Sequence, residues 1–151
     1  MRLEQYVAKA NKTETFFAFV SKGPHGNILK GVEYSKKKLY GFKNVYNLAF
    51  GDIDLISGEI NDVVVTNNQD REKVLATVAN TVIPFTKRRP KTSIYIEGSN
   101  DARTRLYRMA ISKYFDELSE IFEFKGKFKE NWLPFDKNIN FDAFLIIRKK
   151  I

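Results

Sequence analysis

Val74, Leu75, Val78, Ala79 and Val82 recur at i, i+1, i+4, i+5 and i+8, a spacing that gives a helix one buried side. The flanking runs have a different period. Ile60 to Thr66 contains Val63-Val64-Val65, a β-branched run suited to a buried strand, and Ser93-Ile94-Tyr95-Ile96-Glu97 is a short strand stopped by Gly98-Ser99-Asn100. A helix set between strands in this way has to lay its apolar side on a sheet.

The rest of the chain extends this pattern. Phe16 to Ser21 is an aromatic run too short for a helix, and Gly23-Pro24-His25-Gly26-Asn27 is a turn by composition. Ile28 to Tyr34 returns as the second arm of a hairpin. Ser35-Lys36-Lys37-Lys38 reads as a solvated corner. Tyr46 to Asp52 reads as a third strand, and Ile56-Ser57-Gly58-Glu59 as the turn of a second hairpin. Asn67-Asn68-Gln69-Asp70 supplies N-caps for the first helix, and Pro84 should kink or end it.

A second helix starts at Ser99 or Asn100, with Ala102, Leu106, Met109 and Ala110 as its apolar stripe. Phe122 to Phe128 alternates apolar and charged residues with the period of a half-buried strand. Asn131 to Asn140 reads as a loop, and Phe141 to Ile147 is the last strand. The expectation is one α+β domain over residues 1–151 with two main helices. Its sheet is mixed and mostly antiparallel, of roughly six or seven strands in the order β-β-β-β-α-β-α-β-β.

Composition narrows the chemistry. The chain has no cysteine, which excludes disulfides and thiolate metal sites, and its one histidine, His25, rules out a His-rich zinc site. No run reaches the ~18–20 apolar residues of a membrane span, and Met1 to Val7 lacks the apolar core of a signal peptide. A cytoplasmic protein without a membrane association is expected. The net charge of +8 favours anionic partners: RNA, a nucleotide, or an acidic protein such as an antitoxin.

Two helix starts are the places where an anion would bind, because the first turn of a helix leaves about four N–H groups unpaired. At the first, Asn68 and Arg71 are candidate phosphate ligands. At the second, Ser99 is followed by Arg103, Arg105, Tyr107 and Arg108. At roughly 100° per residue, Arg103 and Tyr107 fall on one side of the helix and Arg105 and Arg108 on another. Cations here oppose the helix dipole, so acidic side chains such as Asp70 or Glu97, or a bound anion, should compensate. Guanidinium groups suit two-pronged phosphate binding. Tyr107, Arg103 and Asp70 are the candidate catalytic groups if the chain is an enzyme. Asp52, Asp54, Glu59 and Asp62 read as turn chemistry more than as a metal site, and no metal is expected.

Two resemblances sit on these residues. The stretches Asn47 to Asp52, Asp62 to Val78, and Gly98-Ser99 with Ala102 to Arg108 resemble an uncharacterised family of about this length found mainly in Bacteroidota. That resemblance implies no activity. From Asp62 onward the element order looks like the later part of the Gcn5-related N-acetyltransferase fold, and Ala102 to Tyr107 resembles the Ala-x-x-Leu-Tyr pattern of its second helix. This likeness implies acetyl-CoA as cofactor, with its pyrophosphate near Val65 to Arg71, where Asn67-Asn68-Gln69-Asp70 stands in place of a glycine-containing loop. The first functional expectation is therefore a small bacterial protein acting on RNA or nucleotide phosphates, such as the toxin half of a toxin–antitoxin pair, with no cofactor. An acyltransferase-like or acyl-CoA-binding domain and a non-catalytic interaction module are the alternatives.

Overall fold

A computed structural model describes residues 4–61 and 66–150. The chain is α+β, with two helices among the described residues and a mixed, mostly antiparallel sheet. In chain order its elements are β1 (Lys9–Ala10), β2 (Phe16–Gly23), β3 (Gly26–Leu39), β4 (Phe42–Ile53), β5 (Ile60–Asn61), α1 (Arg71–Arg88), β6 (Ser93–Ile96), α2 (Asp101–Leu118), β7 (Phe122–Phe128), β8 (Asn131–Pro134) and β9 (Ala143–Arg148). Nine strands thus stand among the described residues, more than the sequence pattern suggested. The excess comes from β1 and β8, which are too short to show a period. The lysines at 36–38 are not a corner, because β3 runs on to Leu39 and turns at Tyr40-Gly41, where Gly41 takes φ 86°. The Val63-Val64-Val65 run lies outside the described residues.

The chain divides into two compact units. One is built from the chain up to Ser35 with Ala49–Arg88, the other from Lys36–Leu48 with the chain from Arg89 onward.

In the first unit, β2 and β3 pair antiparallel from Phe16↔Glu33 to Gly23↔Gly26, and β1 pairs with β2. β5 pairs with the end of β4 through Asp52↔Asn61 and Ile53↔Ile60. Helix α1 buries Val74, Leu75, Val78, Val82 and Phe85. Pro84 does not end it, and the helix continues to Arg88. An interior proline costs about 3 kcal/mol. Phe85, the next residue, is fully buried and stacks on Tyr34 at 3.9 Å. Burying such a ring contributes about 1.5–3 kcal/mol, which offsets most of the proline's effect.

The approach to α1 is held by polar groups. Lys30, 1% exposed, places its Nζ 2.6 Å from Asp52 Oδ1 and 3.1 Å from the Thr66 carbonyl, while Asp52 Oδ2 accepts from the Thr66 N–H at 3.0 Å. Asn68 is equally buried. Its Oδ1 accepts from the His25 N–H, and its Nδ2 donates to the Gly26 carbonyl and to Ser21 Oγ. The neighbouring acids serve local structure. Asp54 accepts the Ser57 and Ile56 N–H bonds, which lower its pKa, and Asp62 lies outside the described residues.

In the second unit, β6 is buried at all four positions. It pairs parallel with β4 (Val45↔Ser93 to Asn47↔Tyr95) and antiparallel with β9 (Ser93↔Ile147 to Ile96↔Phe144). β9 continues to β7 and β7 to β8. Helix α2 buries Tyr107, Ile111, Tyr114 and Leu118. The expected stripe of Ala102, Leu106, Met109 and Ala110 is not the buried one: Ala102 is exposed, and Met109 is 48% exposed. Two tyrosines supply the larger rings and take the core side. The segment expected to be a loop from Asn131 opens with β8, because Trp132 pairs with Lys127 and packs on Tyr95.

Tyr34 makes one prediction. Its hydroxyl shares a 2.7 Å hydrogen bond with Thr81 Oγ, and burial pushes the phenol pKa well above its usual 10.0. Above pH 10 the unfolded chain releases this proton and the folded chain keeps it. Stability that is fully present below pH 10 should fall as pH rises towards the folded value, with a slope approaching about 1.4 kcal/mol per pH unit. Denaturant titrations of Tyr34→Phe should show a shallower alkaline loss by that amount, and equal slopes would refute the assignment.

Candidate functional site

The start of α2 is assembled from a short stretch of sequence. Asn100 is extended (φ −153°, ψ 174°), and its side chain accepts from the Arg103 N–H at 2.9 Å. Its carbonyl accepts from the Thr104 N–H and from Thr104 Oγ–H. Thr104 Oγ in turn accepts from the Gly98 N–H at 3.2 Å. The loop is thereby drawn against the first turn of the helix. Only glycine fits at 98, since a Cβ there would stand 2.3 Å from the Thr104 nitrogen.

Beside this loop lies a hollow of about 860 Å³. It is lined by residues 97–101, by Thr104, Arg105 and Arg108 of α2, and by residues 140–142, just before β9. Arg105 and Arg108 are one turn apart and both line it, and neither is paired with a carboxylate among the described residues. Arg103 and Tyr107 lie outside that lining. Arg103 is half-buried, and Tyr107, 8% exposed, belongs to the buried side of α2. Ser99 is an exposed lining residue.

The hollow has mixed charge. Glu97, Asp101 and Asp142 line it alongside the two arginines. Glu97 accepts the Tyr95 hydroxyl at 2.7 Å. Burial, then the Glu97 hydrogen bond, then the charges of Glu97 and Asp142 push the Tyr95 phenol pKa up. Thr104 and residues 140–142 were not legible as site residues from the sequence. The register Ile96↔Phe144 brings the chain just before β9 to the end of β6, and no local motif signals that.

The start of α1 has its own hollow, about 610 Å³, lined by Glu4, Asn67 and residues 69–73. Most of its polar groups are already engaged. Asp70 Oδ2 accepts from the Tyr6 hydroxyl and from Ser21 Oγ, both at 2.6 Å, and the Asp70 carbonyl accepts from the Val74 N–H. Burial and the Asp70 hydrogen bond raise the Tyr6 phenol pKa. Lys73 pairs with Glu4 at 3.1 Å and lies 4.3 Å over the Tyr6 ring. Asn68 spends its amide on the β2–β3 turn. Gln69 takes φ 60° and Arg71 is exposed. His25 sits in the hairpin turn, exposed, with its N–H on Asn68.

No helix among the described residues is long and apolar enough to cross a membrane. The chain belongs to a family of unknown function, DUF6934, whose model matches residues 2–149. No curated protein and no solved structure matches it.

The close approach at Gly98 is testable. Gly98→Ala should force the loop off the first turn of α2 and destabilise the fold by about 1–3 kcal/mol, the usual range for overpacking. A chemical denaturation midpoint equal to that of the parent chain would show that the loop is not held as described.

Proposed function

We propose that this DUF6934 chain binds RNA or nucleotide phosphates in the hollow at the start of α2. The observation that carries the reading is the pair Arg105 and Arg108. They line one polar hollow a turn apart, without a carboxylate partner among the described residues, in a chain of net charge +8. A guanidinium binds phosphate through two parallel N–H bonds. The positive end of the helix dipole adds to the attraction.

The three carboxylates sharpen the reading. A bare phosphate would meet Glu97, Asp101 and Asp142 as like charges in the same hollow. A nucleotide presents donors as well: ribose hydroxyls and the amino groups of bases. Carboxylates accept such donors, so the mixed lining fits a phosphate joined to a sugar and base. The 2′-hydroxyl, as donor and acceptor, is also what lets a protein distinguish RNA from DNA.

A salt titration of binding to a labelled RNA oligomer tests this. Affinity should fall steeply with salt. The Arg105→Ala/Arg108→Ala double variant should reduce the log–log salt slope by about 1–2, roughly one unit for each phosphate contact removed. Binding that ignores salt, or a folded double variant with the parent slope, would overturn it.

A further inference from the structure

The second unit carries a second surface, which meets the hollow at the Tyr95–Glu97 hydrogen bond. Helix α2 packs on one face of the sheet, where its Phe115 meets Phe124 at 5.7 Å. Cross-strand partners share a face, so register identifies the opposite one. One row there runs Asn47, Tyr95, Leu145, Lys125, and the next runs Ala143, Lys127, Trp132. Val45, Tyr95, Ala143 and Leu145 form a buried floor, with Phe42 and Trp132 packed against it and only half-buried. Phe42 and Tyr95 each meet Trp132 edge-on, at 5.7 and 6.1 Å.

Lysines interleave with these rings. Lys37 places its Nζ 4.6 Å over the Tyr95 ring, and Lys125 and Lys127 stand half-exposed on the same rows. Glu123 is on this face too, opposite Ile147, Glu97 accepts the Tyr95 hydroxyl at its edge, and Glu130 reaches Lys127 only at 4.0 Å. The three lysines stand among partly exposed apolar side chains, the rings of Phe42 and Trp132 with Leu39 and Ile147 beside them. Single-stranded nucleic acid is bound by that combination, with ammonium groups along the backbone and rings against the bases. A rigid duplex hides its base faces and cannot use the rings.

We propose that this face binds single-stranded RNA, with Lys37, Lys125 and Lys127 on the phosphates and bases against Trp132 and Phe42. The inference rests on the reading that the chain binds RNA, and it assigns that RNA a strand form and a second contact surface. Trp132 is the only tryptophan in the chain, so its fluorescence reports this face alone.

The experiment follows Trp132 emission in the full chain during titration with short oligouridylate, with the same RNA as a duplex, and with inorganic polyphosphate. Oligouridylate should quench the emission to saturation, and the duplex and polyphosphate should not. A Lys37→Ala/Lys125→Ala/Lys127→Ala variant, shown folded by circular dichroism, should lose about 2 units of salt slope, at about 0.7 per single-strand phosphate contact. Arg105→Ala/Arg108→Ala should weaken binding yet keep the quench at saturating RNA. RNA binding without any quench, an equal quench by duplex or polyphosphate, or a lysine variant with the full slope would overturn this face and leave the hollow standing. Absence of RNA binding would overturn both.

Discussion

A buried lysine organises the first unit. Lys30 is 1% exposed, and its charge is met by Asp52 and by the Thr66 carbonyl. Removing such a charge from water costs several kcal/mol, and good geometry with every donor satisfied is needed to recover it. Asp52 completes the arrangement by also accepting the Thr66 N–H. A strand residue, a residue of the neighbouring strand and the chain leading into α1 are therefore fixed to one another. Asn68, two residues on, ties the same connector to the β2–β3 turn. Polar groups thus fix the chain that enters α1, while the helix itself is seated by its apolar side, with Phe85 buried against Tyr34.

The two helix starts illustrate how the same local chemistry serves different ends. At α1, Asp70 holds two hydroxyls and Lys73 holds Glu4, so the polar side chains are consumed in joining elements of the first unit. At α2, the cap uses Asn100, Thr104 and backbone. Arg105 and Arg108 are left over the hollow with carboxylates along the same lining. The second arrangement keeps donors and acceptors of both kinds along one lining.

Much of this fold is legible in the sequence. The first hairpin follows from Gly23 to Asn27 between two β-forming runs, and β6 from Ile94-Tyr95-Ile96. The buried side of α2 is not, because tyrosine is amphipathic and counts weakly as core. Reading Leu106 instead of Tyr107 turns the face by about 100°, and the buried residues are Tyr107, Ile111, Tyr114 and Leu118. β8 is four residues long and ends in proline, so only its pairing with β7 reveals it. At the candidate site, helical spacing separates Arg105 and Arg108 from Arg103 and Tyr107. The contribution of Asn140 and Asp142 depends on the pairing of β6 with β9, a relation between distant segments that no local pattern encodes.

That terminal proline has a bearing on solubility. β8 is the last strand on its side of the sheet, where unpaired backbone groups can template the addition of a strand from another molecule. Pro134 brings no N–H, and four residues offer little length to copy. An aromatic-rich chain, with thirteen phenylalanines and seven tyrosines, thus ends its sheet on a margin poorly suited to seeding fibrils.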